Sequence, residues 1–341
     1  MENLHSATPM PEGSACYSRD GAEGKNVNDG IGISIALAVY NGARFISEQL
    51  ASFAGQTRLP DELVVCDNCS TDRTVEIVRN FASGSPFPVR LYVNEQNLGA
   101  GRNFGRAMSE CAGDIIFLSD CDDVWYPDKL RVMTQVLQAT PEVALVECDA
   151  DVVDRDLRPR GYTTGSLPRQ QCFPFSIVPP SFVGNSLAFR ARFRSVILPM
   201  PASPIFLKGH HDSWLGLVIV ACGGRAAFVP QALLAYRQHE TQQIGAFPKR
   251  LTERLSRSLR GRVALRCEPF EVLLAALEAR IESPDPKVLR ELRSFVAHLR
   301  ARRDLPDARL ARLPIVMKEL TRFRYSRYSQ GVLSAIKDLV L

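Results

Sequence analysis

The feature that most constrains this chain is an apolar segment that runs directly into three carboxylates. Residues 115–118 are continuously apolar, and Asp120, Asp122 and Asp123 follow them. A continuous apolar run is typical of a strand buried on both faces of a parallel sheet. Ligands of open α/β sheets bind beyond the carboxyl ends of such strands. The segment therefore predicts a functional site at a strand end, although a solvated acidic turn with a helix cap would also account for it.

The three acids also predict a bound metal ion. Neighbouring carboxylates repel one another, and burying them without partners costs free energy. A divalent cation removes that cost, and hard oxygen ligands suit Mg²⁺ or Mn²⁺. We therefore expect Mg²⁺ or Mn²⁺ as the cofactor.

The pattern of apolar residues before this segment alternates between strand and helix. Four strands are predicted at 31–39, 63–66, 89–93 and 115–118, with helical stripes between them, and a fifth at 143–148. This alternation predicts an α/β fold with a doubly wound, mostly parallel sheet.

After residue 149 the alternation stops. Residues 155–182 are rich in Pro, Arg and Gly, which predicts a long functional loop. Later strands are predicted at 183–189 and 226–229, with a helix at 213–222 between them.

The chain divides into three predicted regions. Residues 1–29 are polar and lack the apolar core of a signal peptide, so we expect a disordered extension. Residues 30–246 form the predicted catalytic domain, and residues 247–341 a mainly helical extension. The longest apolar stretch, 214–222, is shorter than the roughly 20 residues that span a bilayer. We expect a protein that is cytoplasmic or peripheral on the inner membrane.

The net charge of +5 hides a basic C-terminal region. Residues 249–341 carry 21 Lys and Arg against 11 Asp and Glu, and the remainder carries 21 against 26. A basic surface favours an anionic partner, either a membrane or a nucleic acid. No zinc-finger or RNA-binding aromatic motif is present, so we expect no nucleic acid and peripheral membrane association, with a solvated basic face as the alternative. Two stripes at helical spacing support this: Phe270, Leu273, Leu274, Leu277, Ile281 and Leu289, Leu292, Phe295, Val296, Leu299.

Nine scattered cysteines, several in apolar contexts, indicate buried thiols in a reducing compartment. Cys66 and Cys69 form a CxxC pair. A second pair or a nearby histidine is missing, which argues against zinc.

Two common nucleotide-binding motifs are absent. The loop after the first predicted strand, residues 40–44, has one glycine and no GxGxxG, and the chain has no GxxxxGK[ST]. The glycines at 99, 101 and 105 have the wrong last interval for a dinucleotide motif. A nucleoside diphosphate held with a metal ion remains the natural ligand.

Four segments together resemble glycosyltransferase family 2, whose members have the GT-A fold and use nucleotide-activated sugars. The segments are 38–42 (AVYNG), 64–74 (VVCDNCSTDRT), 94–103 (NEQNLGAGRN) and 119–125 (SDCDDVW). The match departs at Cys69, where the family usually has glycine, and this puts the local backbone in question. Two later segments, 210–215 (HHDSWL) and 236–240 (YRQHE), resemble the rhamnosyltransferase-like subgroup.

The resemblance implies roles for individual residues. It implies that Asp122 binds the metal, and it makes Asp212 the candidate general base for the acceptor hydroxyl. His239 follows a strand-like segment and could reach the metal or the diphosphate, because imidazole is a possible third ligand. Each has a structural alternative: Asp212 could cap a helix, and a lone histidine is commonly a packing residue. Donor binding falls to Tyr40, Asn41, Asp67, Asn97, Gly99, Arg102 and Asp120.

Physical chemistry adds a reason for two of the donor residues. Asp67 at a strand end could accept the N–H of a pyrimidine ring, and Arg102 could pair with a diphosphate. Both also fit a structural role, as a turn acid and an exposed helix arginine. We expect Asp72 to cap a helix and Trp125 to pack in the core.

The sequence therefore predicts an inverting glycosyltransferase of cell-surface polysaccharide or lipopolysaccharide biosynthesis. The donor would be a nucleotide diphosphate sugar, with L-rhamnose as the first candidate, and the acceptor a glycan or lipid-linked glycan. The alternatives are a transferase that uses a UDP- or GDP-sugar, or a non-catalytic nucleotide-sugar-binding protein of the same fold.

Overall fold

A ten-stranded mixed sheet forms the centre of the molecule. The computed structural model describes residues 15–16, 30–166, 183–201, 211–240, 268–329 and 331–340. The strands are β1 (Ala15–Cys16), β2 (Ile33–Val39), β3 (Glu62–Asp67), β4 (Val89–Val93), β5 (Ile115–Ser119), β6 (Val124–Trp125), β7 (Val143–Val153), β8 (Pro159–Thr163), β9 (Leu187–Arg190) and β10 (Arg225–Arg237). They run in the order β1-β10-β7-β9-β5-β2-β3-β4, with β6 beside β10 and β8 beside β7.

Helices cover both faces of this sheet and continue beyond it. They are α1 (Ile46–Ala54), α2 (Thr74–Ala82), α3 (Ala100–Glu110), α4 (Lys129–Ala139), α5 (Arg194–Ile197), α6 (His211–Ala221), α7 (Glu268–Arg280), α8 (Pro286–Arg303), α9 (Arg309–Thr321), α10 (Arg324–Tyr328) and α11 (Val332–Val340). Two short 3₁₀ turns, Gly184–Ser186 and Ala191–Phe193, flank β9.

The first half of the chain builds a parallel unit. Strands β2, β3, β4 and β5 pair in parallel, and helices α1, α2 and α3 connect them in sequence. Every residue of β5 is buried, as its continuous apolar sequence predicts. The predicted α/β fold with a mostly parallel sheet is confirmed. Strand β9 lies antiparallel between β5 and β7, so the sheet is mixed at its centre.

Two strands extend well beyond their predicted bounds. Strand β7 continues to Val153, past the predicted end at residue 148, and strand β10 covers Arg225–Arg237, whereas a strand was predicted only at 226–229. Pro230 is exposed, and the pairing with β7 shifts register between Val229 and Ala232, so the proline occupies an irregularity at which no ladder hydrogen bond is lost.

The predicted loop at 155–182 is wrong in its first part. Strand β8 pairs antiparallel with β7, and Asp154 closes the turn by accepting hydrogen bonds from the amides of Asp156 and Arg158, both at 2.9 Å. Asp and Asn stabilise such turns with their side chains. Residues 167–182, and the predicted disorder of 1–29 apart from β1, lie outside the described residues.

Both predicted stripes of the C-terminal region are helical, in α7 and α8. Their buried members Leu277, Leu292 and Phe295 share one apolar core with Trp214 of α6. These two stripes therefore pack inside the protein and do not form the membrane-facing surface that the sequence suggested. Across the described ranges, no helix combines the length and apolar composition needed to cross a membrane.

Candidate active site

The carboxyl ends of the parallel strands meet at one edge of the sheet, which we call the carboxyl edge. Val39 at the end of β2 is the register partner of Asp67 at the end of β3, and Leu37 is the partner of Ser119 at the end of β5. The loops after these strands therefore lie side by side, and those after β2 and β5 contain the predicted residues Tyr40, Asn41, Asp120 and Asp122.

Asn41 and Asp72 join two of these loops. The Asn41 side chain accepts a hydrogen bond from the Thr71 amide at 2.9 Å, and its own amide donates to Ser70 Oγ at 2.8 Å. Asp72 accepts from the amides of Ala43 and Thr74, each at 3.0 Å. Asn41 adopts a positive φ of 49°, which asparagine tolerates better than most residues.

Tyr40 begins the loop after β2 and is about half exposed, at 49%. The loop passes close to the acidic segment, because a Cβ on Gly42 would lie 2.8 Å from Cys121 Sγ. Glycine at position 42 therefore allows the two loops to approach each other.

Asp67 is fully buried and only half satisfied. Its Oδ2 accepts from the Ser70 amide at 2.9 Å, whereas Oδ1 has no hydrogen-bond partner in the described structure. An unpaired buried carboxylate oxygen is costly. It suits a ligand that brings its own N–H donor.

Asparagine side chains, which the sequence analysis largely missed, hold the loop at 94–99. Asn97 accepts from Asn68 Nδ2 at 2.8 Å and from the Gly99 amide at 2.9 Å. Asn68 accepts from the Leu98 amide at 2.8 Å, and Asn94 donates to Asn103 at 2.8 Å. Asn97 therefore positions the loop, and its carbonyl oxygen is already used within the protein.

Gly99 begins α3 with φ 81° and ψ 154°, a conformation that is essentially restricted to glycine. Arg102 follows in the first turn of α3 and is exposed. A guanidinium there is free to meet a ligand that approaches the start of the helix.

The acidic segment brings three carboxylates together. Oxygens of Asp120, Asp122 and Asp123 all lie within 4.8 Å of one another. Burial and the charges of Asp122 and Asp212 raise the pKa of Asp120 to about 8. Asp120 and Asp122 are half-buried, whereas Asp123 is fully buried.

Asp123 is held by the protein itself. Its Oδ1 accepts from the Arg237 amide at 3.0 Å, and its Oδ2 accepts from Asn185 Nδ2. Below it, Lys129 is fully buried, donates to the Asn185 carbonyl at 2.5 Å and lies 3.7 Å from the centre of the Trp125 ring. Burial lowers the pKa of Lys129 to about 8. Asp123 is therefore an anchor of the acidic segment.

Arg237 is a second anchor that the sequence analysis did not identify as a positioning residue. Its side chain is buried and donates to the carbonyls of Asp122 at 2.7 Å and Arg155 at 2.6 Å, and it pairs with Glu48. Its guanidinium also lies 4.6 Å from the Phe45 ring centre. Residues 233–237 of β10 are all buried, so this end of the strand has no alternation that could have marked Arg237 as an inward-facing residue.

His239 lies against the acidic segment. Its Nε2 is 2.8 Å from Asp122 Oδ2, and its ring packs against Phe45 with centroids 4.8 Å apart. The structure thus brings the two predicted metal ligands into contact, from positions far apart in the sequence.

Asp212 lies in the first turn of α6 and faces the same site. It is buried, and its charge contributes to the raised pKa of Asp120. Burial raises the pKa of Asp212 to about 7, although hydrogen bonds from Ser213 oppose the shift. The neighbouring His211 stacks on Phe104 with ring centroids 4.0 Å apart, and Gly184 approaches both residues.

The residues fit a divalent cation. Asp120, Asp122 and His239 offer two carboxylates and one imidazole, which suit Mn²⁺ and, for the oxygens, Mg²⁺. The raised pKa of Asp120 shows that the carboxylates repel one another in the protein alone. A cation would remove that repulsion.

One further expectation, the packing of Trp125, is confirmed. Trp125 is buried and packs edge-on against Phe53 with centroids 4.7 Å apart, so it is a core residue. Cys66 and Cys69 are free thiols, and burial raises the pKa of Cys66 to about 12, which makes it a poor nucleophile.

Comparisons with known proteins agree with this geometry. Residues 34–198 match the model of the family described as Glycosyl transferase family 2. The succinoglycan biosynthesis protein ExoO of Rhizobium meliloti is 28% identical over 221 residues, which cover 61% of each protein. The dTDP-rhamnosyl transferase RfbG of Shigella flexneri is 34% identical over 99 residues, which cover 28% of this chain and 34% of RfbG. The chain spans about three fifths of the length of curated relatives such as ExoO.

Solved structures show the same fold. The S. aureus TarS 1-349 structure in complex with UDP-GlcNAc superposes with a TM-score of 0.54 at 17% identity, covering 87% of this chain and 82% of TarS. The mannosyltransferase PcManGT from Pyrobaculum calidifontis, in complex with GDP-Man and Mn²⁺, superposes with a TM-score of 0.51 at 22% identity, covering 89% and 77%. The fold is therefore of the GT-A type.

Proposed function

We propose that the chain, whose residues 34–198 match the model of glycosyl transferase family 2, transfers a sugar from a nucleotide diphosphate sugar to a hydroxyl of a growing cell-surface glycan, with inversion. L-Rhamnose is the first candidate sugar. This choice rests on the resemblance of the segments around Asp212 and His239 to rhamnosyltransferases and on the name of the relative RfbG. The acceptor class follows the printed names of relatives in polysaccharide biosynthesis.

The observation that carries the proposal is that Asp212 lies close enough to the acidic segment for its charge to act on Asp120. The two come from opposite halves of the chain, yet the charge of Asp212 raises the pKa of Asp120. Sugar transfer with inversion needs one base beside the donor, and Asp212 has a pKa of about 7. A carboxylate with that pKa is a stronger base than an ordinary aspartate and is about half ionised at pH 7.

The proposed chemistry is a single displacement. The acceptor hydroxyl oxygen forms a bond to the anomeric carbon while the bond from that carbon to the diphosphate oxygen breaks. Asp212 takes the hydroxyl proton, and the electron pair leaves with the nucleoside diphosphate. Fixing both reactants in line supplies much of the rate enhancement in such reactions.

Donor binding is proposed for the carboxyl edge. The unpaired Oδ1 of Asp67 would accept an N–H of the base, and Arg102 would donate to a phosphate oxygen. Asp120 would hold the ribose or the sugar. Tyr40, Asn41, Asn97 and Gly99 would shape the loops around the nucleotide.

We propose that Asp122 and His239, with Asp120, hold Mg²⁺ or Mn²⁺. The cation would neutralise charge on the departing diphosphate. In the protein itself, Arg237 and Asp123 keep Asp122 in place through the backbone of the acidic segment.

The proposed location is the cytoplasmic face of the inner membrane, where a lipid-linked acceptor would be available. We propose residues 30–246 as the catalytic unit, with the basic C-terminal region from 247 onward as the part that reaches the membrane. Helices α7 and α8 of that region share the core of the catalytic unit.

The proposal is tested by donor binding and transfer. Calorimetry with dTDP-rhamnose, UDP-sugars and GDP-sugars, each with and without Mn²⁺, should show metal-dependent binding of one donor that Asp122→Ala abolishes. Asp212→Asn should bind that donor normally but lose transfer to an acceptor glycan. Asp156→Asn, an exposed acid outside the site, is the matched control and should behave as wild type.

The outcomes separate the alternatives. Tight binding of a UDP- or GDP-sugar would replace rhamnose and keep the mechanism. Donor binding with full transfer in Asp212→Asn would remove Asp212 as the base. Absence of binding for every nucleotide sugar would overturn the proposed function.

A further inference from the structure

We propose that the helical pair α9 and α11, with the turn between Thr321 and Arg324, is the surface that docks on an anionic lipid bilayer. The inference rests on the membrane location proposed above. It assigns that contact to residues other than the two stripes that the sequence suggested, because those stripes are buried in the core.

Exposed apolar side chains concentrate in this region. Among the described residues, eight of the eleven exposed large apolar side chains fall between 310 and 340. They are Leu310, Leu313, Met317, Phe323, Val332, Leu333, Ile336 and Val340. Soluble proteins seldom concentrate exposed apolar side chains without an interaction to use them.

The exposed side chains form stripes that folding does not use. On α9, Leu310, Leu313 and Met317 follow helical spacing, whereas the buried face carries Val316 and Glu319. On α11, Leu333 and Ile336 are exposed, whereas Ser334 and Ala335 are buried. The two helices already pack against each other through their buried faces. The outer stripes therefore remain available for a partner.

Phe323 adds an independent observation. Its backbone has a positive φ of 56°, and its side chain is 75% exposed. A positive φ is costly for a bulky residue, and an exposed ring contributes little to folding. Hydrogen bonds hold the backbone in this turn, because the Phe323 amide donates to the Leu320 carbonyl at 2.9 Å and its carbonyl accepts from the Arg327 amide at 3.1 Å. The exposed ring has no such partner role in folding, whereas an aromatic ring at a membrane surface gains burial among lipid headgroups.

The charges around the apolar stripes fit an anionic surface. Between 309 and 340 the sequence has seven Lys and Arg and only two acids, Glu319 and Asp338. Both acids are turned inward: Glu319 pairs with His298 at 2.7 Å, and Asp338 pairs with Arg302 at 2.6 Å. Arg309, Lys318 and Arg322 are exposed. The outer surface of this segment is therefore apolar and cationic.

A cleft that is lined in part by Arg324, the residue after Phe323, supplies a site for a lipid phosphate. The cleft has a volume of about 570 Å³ and is lined by Pro286, Arg290, Arg293, Ser294 and Arg324. Arg293 pairs with Glu278 at 2.7 Å and Arg324 with Glu319 at 2.9 Å, so each is already positioned. Three guanidinium groups around one opening suit a phosphate group.

A bilayer suits this surface better than a second copy of the chain. Self-association would bring two cationic surfaces together, which costs free energy. An anionic bilayer instead accepts both the cations and the apolar stripes, as interfacial helices do.

The test is flotation of the full-length protein with vesicles. The protein should float with vesicles of phosphatidylcholine and phosphatidylglycerol at low salt, float less as salt rises, and remain in solution with pure phosphatidylcholine. Leu333→Glu with Ile336→Glu should reduce partitioning at least about tenfold. Arg290→Ala should reduce it about fivefold.

Matched controls come from the catalytic unit. Leu59→Glu alters an exposed leucine and Arg79→Ala an exposed arginine, and both should leave flotation unchanged. Calorimetric donor binding, measured without vesicles, should be equal in all variants, so a failed catalytic proposal and a failed docking proposal give different results.

Three outcomes would overturn the inference. These are no flotation with anionic vesicles, flotation that the glutamate pair leaves unchanged, and a stable dimer in sedimentation that the same pair dissociates. The last outcome would assign the surface to a second copy of the chain.

Discussion

Strand β3 carries a buried acid at each end, and the two acids differ in how fully their oxygens are hydrogen-bonded. Glu62 at its start accepts hydrogen bonds from Ser34 Oγ at 2.5 Å and the Ala112 amide at 2.6 Å, and it pairs with Arg90. Asp67 at its end keeps one oxygen without a partner in the described structure. The hydrogen-bond network around Glu62 at the start of the strand is therefore complete, whereas the one around Asp67 at its end is not.

The contrast extends across the sheet. Glu62 lies at the opposite edge of the sheet, where the parallel strands begin, which we call the amino edge. Burial alone would raise the pKa of Glu62 there, but its hydrogen bonds and Arg90 outweigh that effect, and the pKa is lowered. At the carboxyl edge, burial and like charges raise the pKa of Asp120 to about 8 and burial raises that of Asp212 to about 7. Ionised Glu62 at the amino edge therefore stabilises the fold, whereas ionised Asp120 and Asp212 at the carboxyl edge lower its stability, as is common for residues of functional sites.

The largest expected effect tests the carboxyl edge. Asp212→Asn should lower kcat by about a thousandfold or more, because removal of a general base costs the proton transfer as well as its alignment. Donor affinity measured by calorimetry should stay within about twofold.

The pH dependence sharpens this prediction. Asp212 must be ionised to take a proton, so kcat should rise with pH and level off above about 7. A wild-type profile without a rise in this range, measured from pH 5 to 9 with saturating metal, would contradict the assignment of Asp212.

The second effect tests the amino edge. Glu62→Ala should lower the free energy of unfolding by about 3 to 5 kcal/mol, because it leaves Arg90 without its buried partner and orphans two hydrogen-bond donors. Urea unfolding measures the loss. The folded pKa of Glu62 is lowered, so its stabilisation is present above its unfolded pKa and is lost as pH falls through the folded value. The difference between wild type and Glu62→Ala should therefore shrink in acid.

The third effect has the opposite sign. The folded pKa of Asp212 is raised, so ionised Asp212 lowers the free energy of unfolding. This destabilisation grows as the pH rises from the ordinary pKa of aspartate to about 7, and it is constant at higher pH. Metal-free Asp212→Asn should then be more stable than wild type by about 2 to 4 kcal/mol at pH 8 and nearly equal at pH 4. If metal-free Asp212→Asn were less stable than wild type at pH 8, ionised Asp212 would stabilise the fold, and the contrast with Glu62 would be wrong.

Sequence reasoning located the parallel strands well because their apolar runs are continuous. Strand β4 has the predicted bounds, and β5 differs by one residue. It missed the extent of β10, which continues through Pro230, and it predicted a loop where β8 lies because that segment lacks an apolar pattern. These cases depend on a bulge and a turn, which tertiary pairing decides.

For the site, sequence motifs found the acids but not their supports. The meeting of Asp120 with Asp212 could be anticipated only through family resemblance, since contact between distant segments leaves no local pattern. Asn68 and Asn94 each stand directly after a parallel strand, so their position was a usable signal. Lys129 gave no signal, because a lysine in a helix is ordinarily exposed.

The smallest effect concerns Cys69, where the sequence departs from the family glycine. The structure gives this residue a positive φ of 67° in the loop beside Asp67, so the backbone keeps the glycine conformation despite the side chain. That conformation costs an L-residue about 1 to 2 kcal/mol. Glycine avoids this cost, but its unfolded chain is more flexible, and the extra entropy lost on folding cancels roughly half of the gain. Cys69→Gly should therefore raise the free energy of unfolding by about 0.5 to 1 kcal/mol, whereas Cys69→Ala, which keeps a Cβ, should not. Both variants retain Asp67 and should bind the donor equally. A glycine variant no more stable than the alanine variant would show that the loop at the carboxyl edge carries no backbone strain, and that its cost lies in the carboxylates alone.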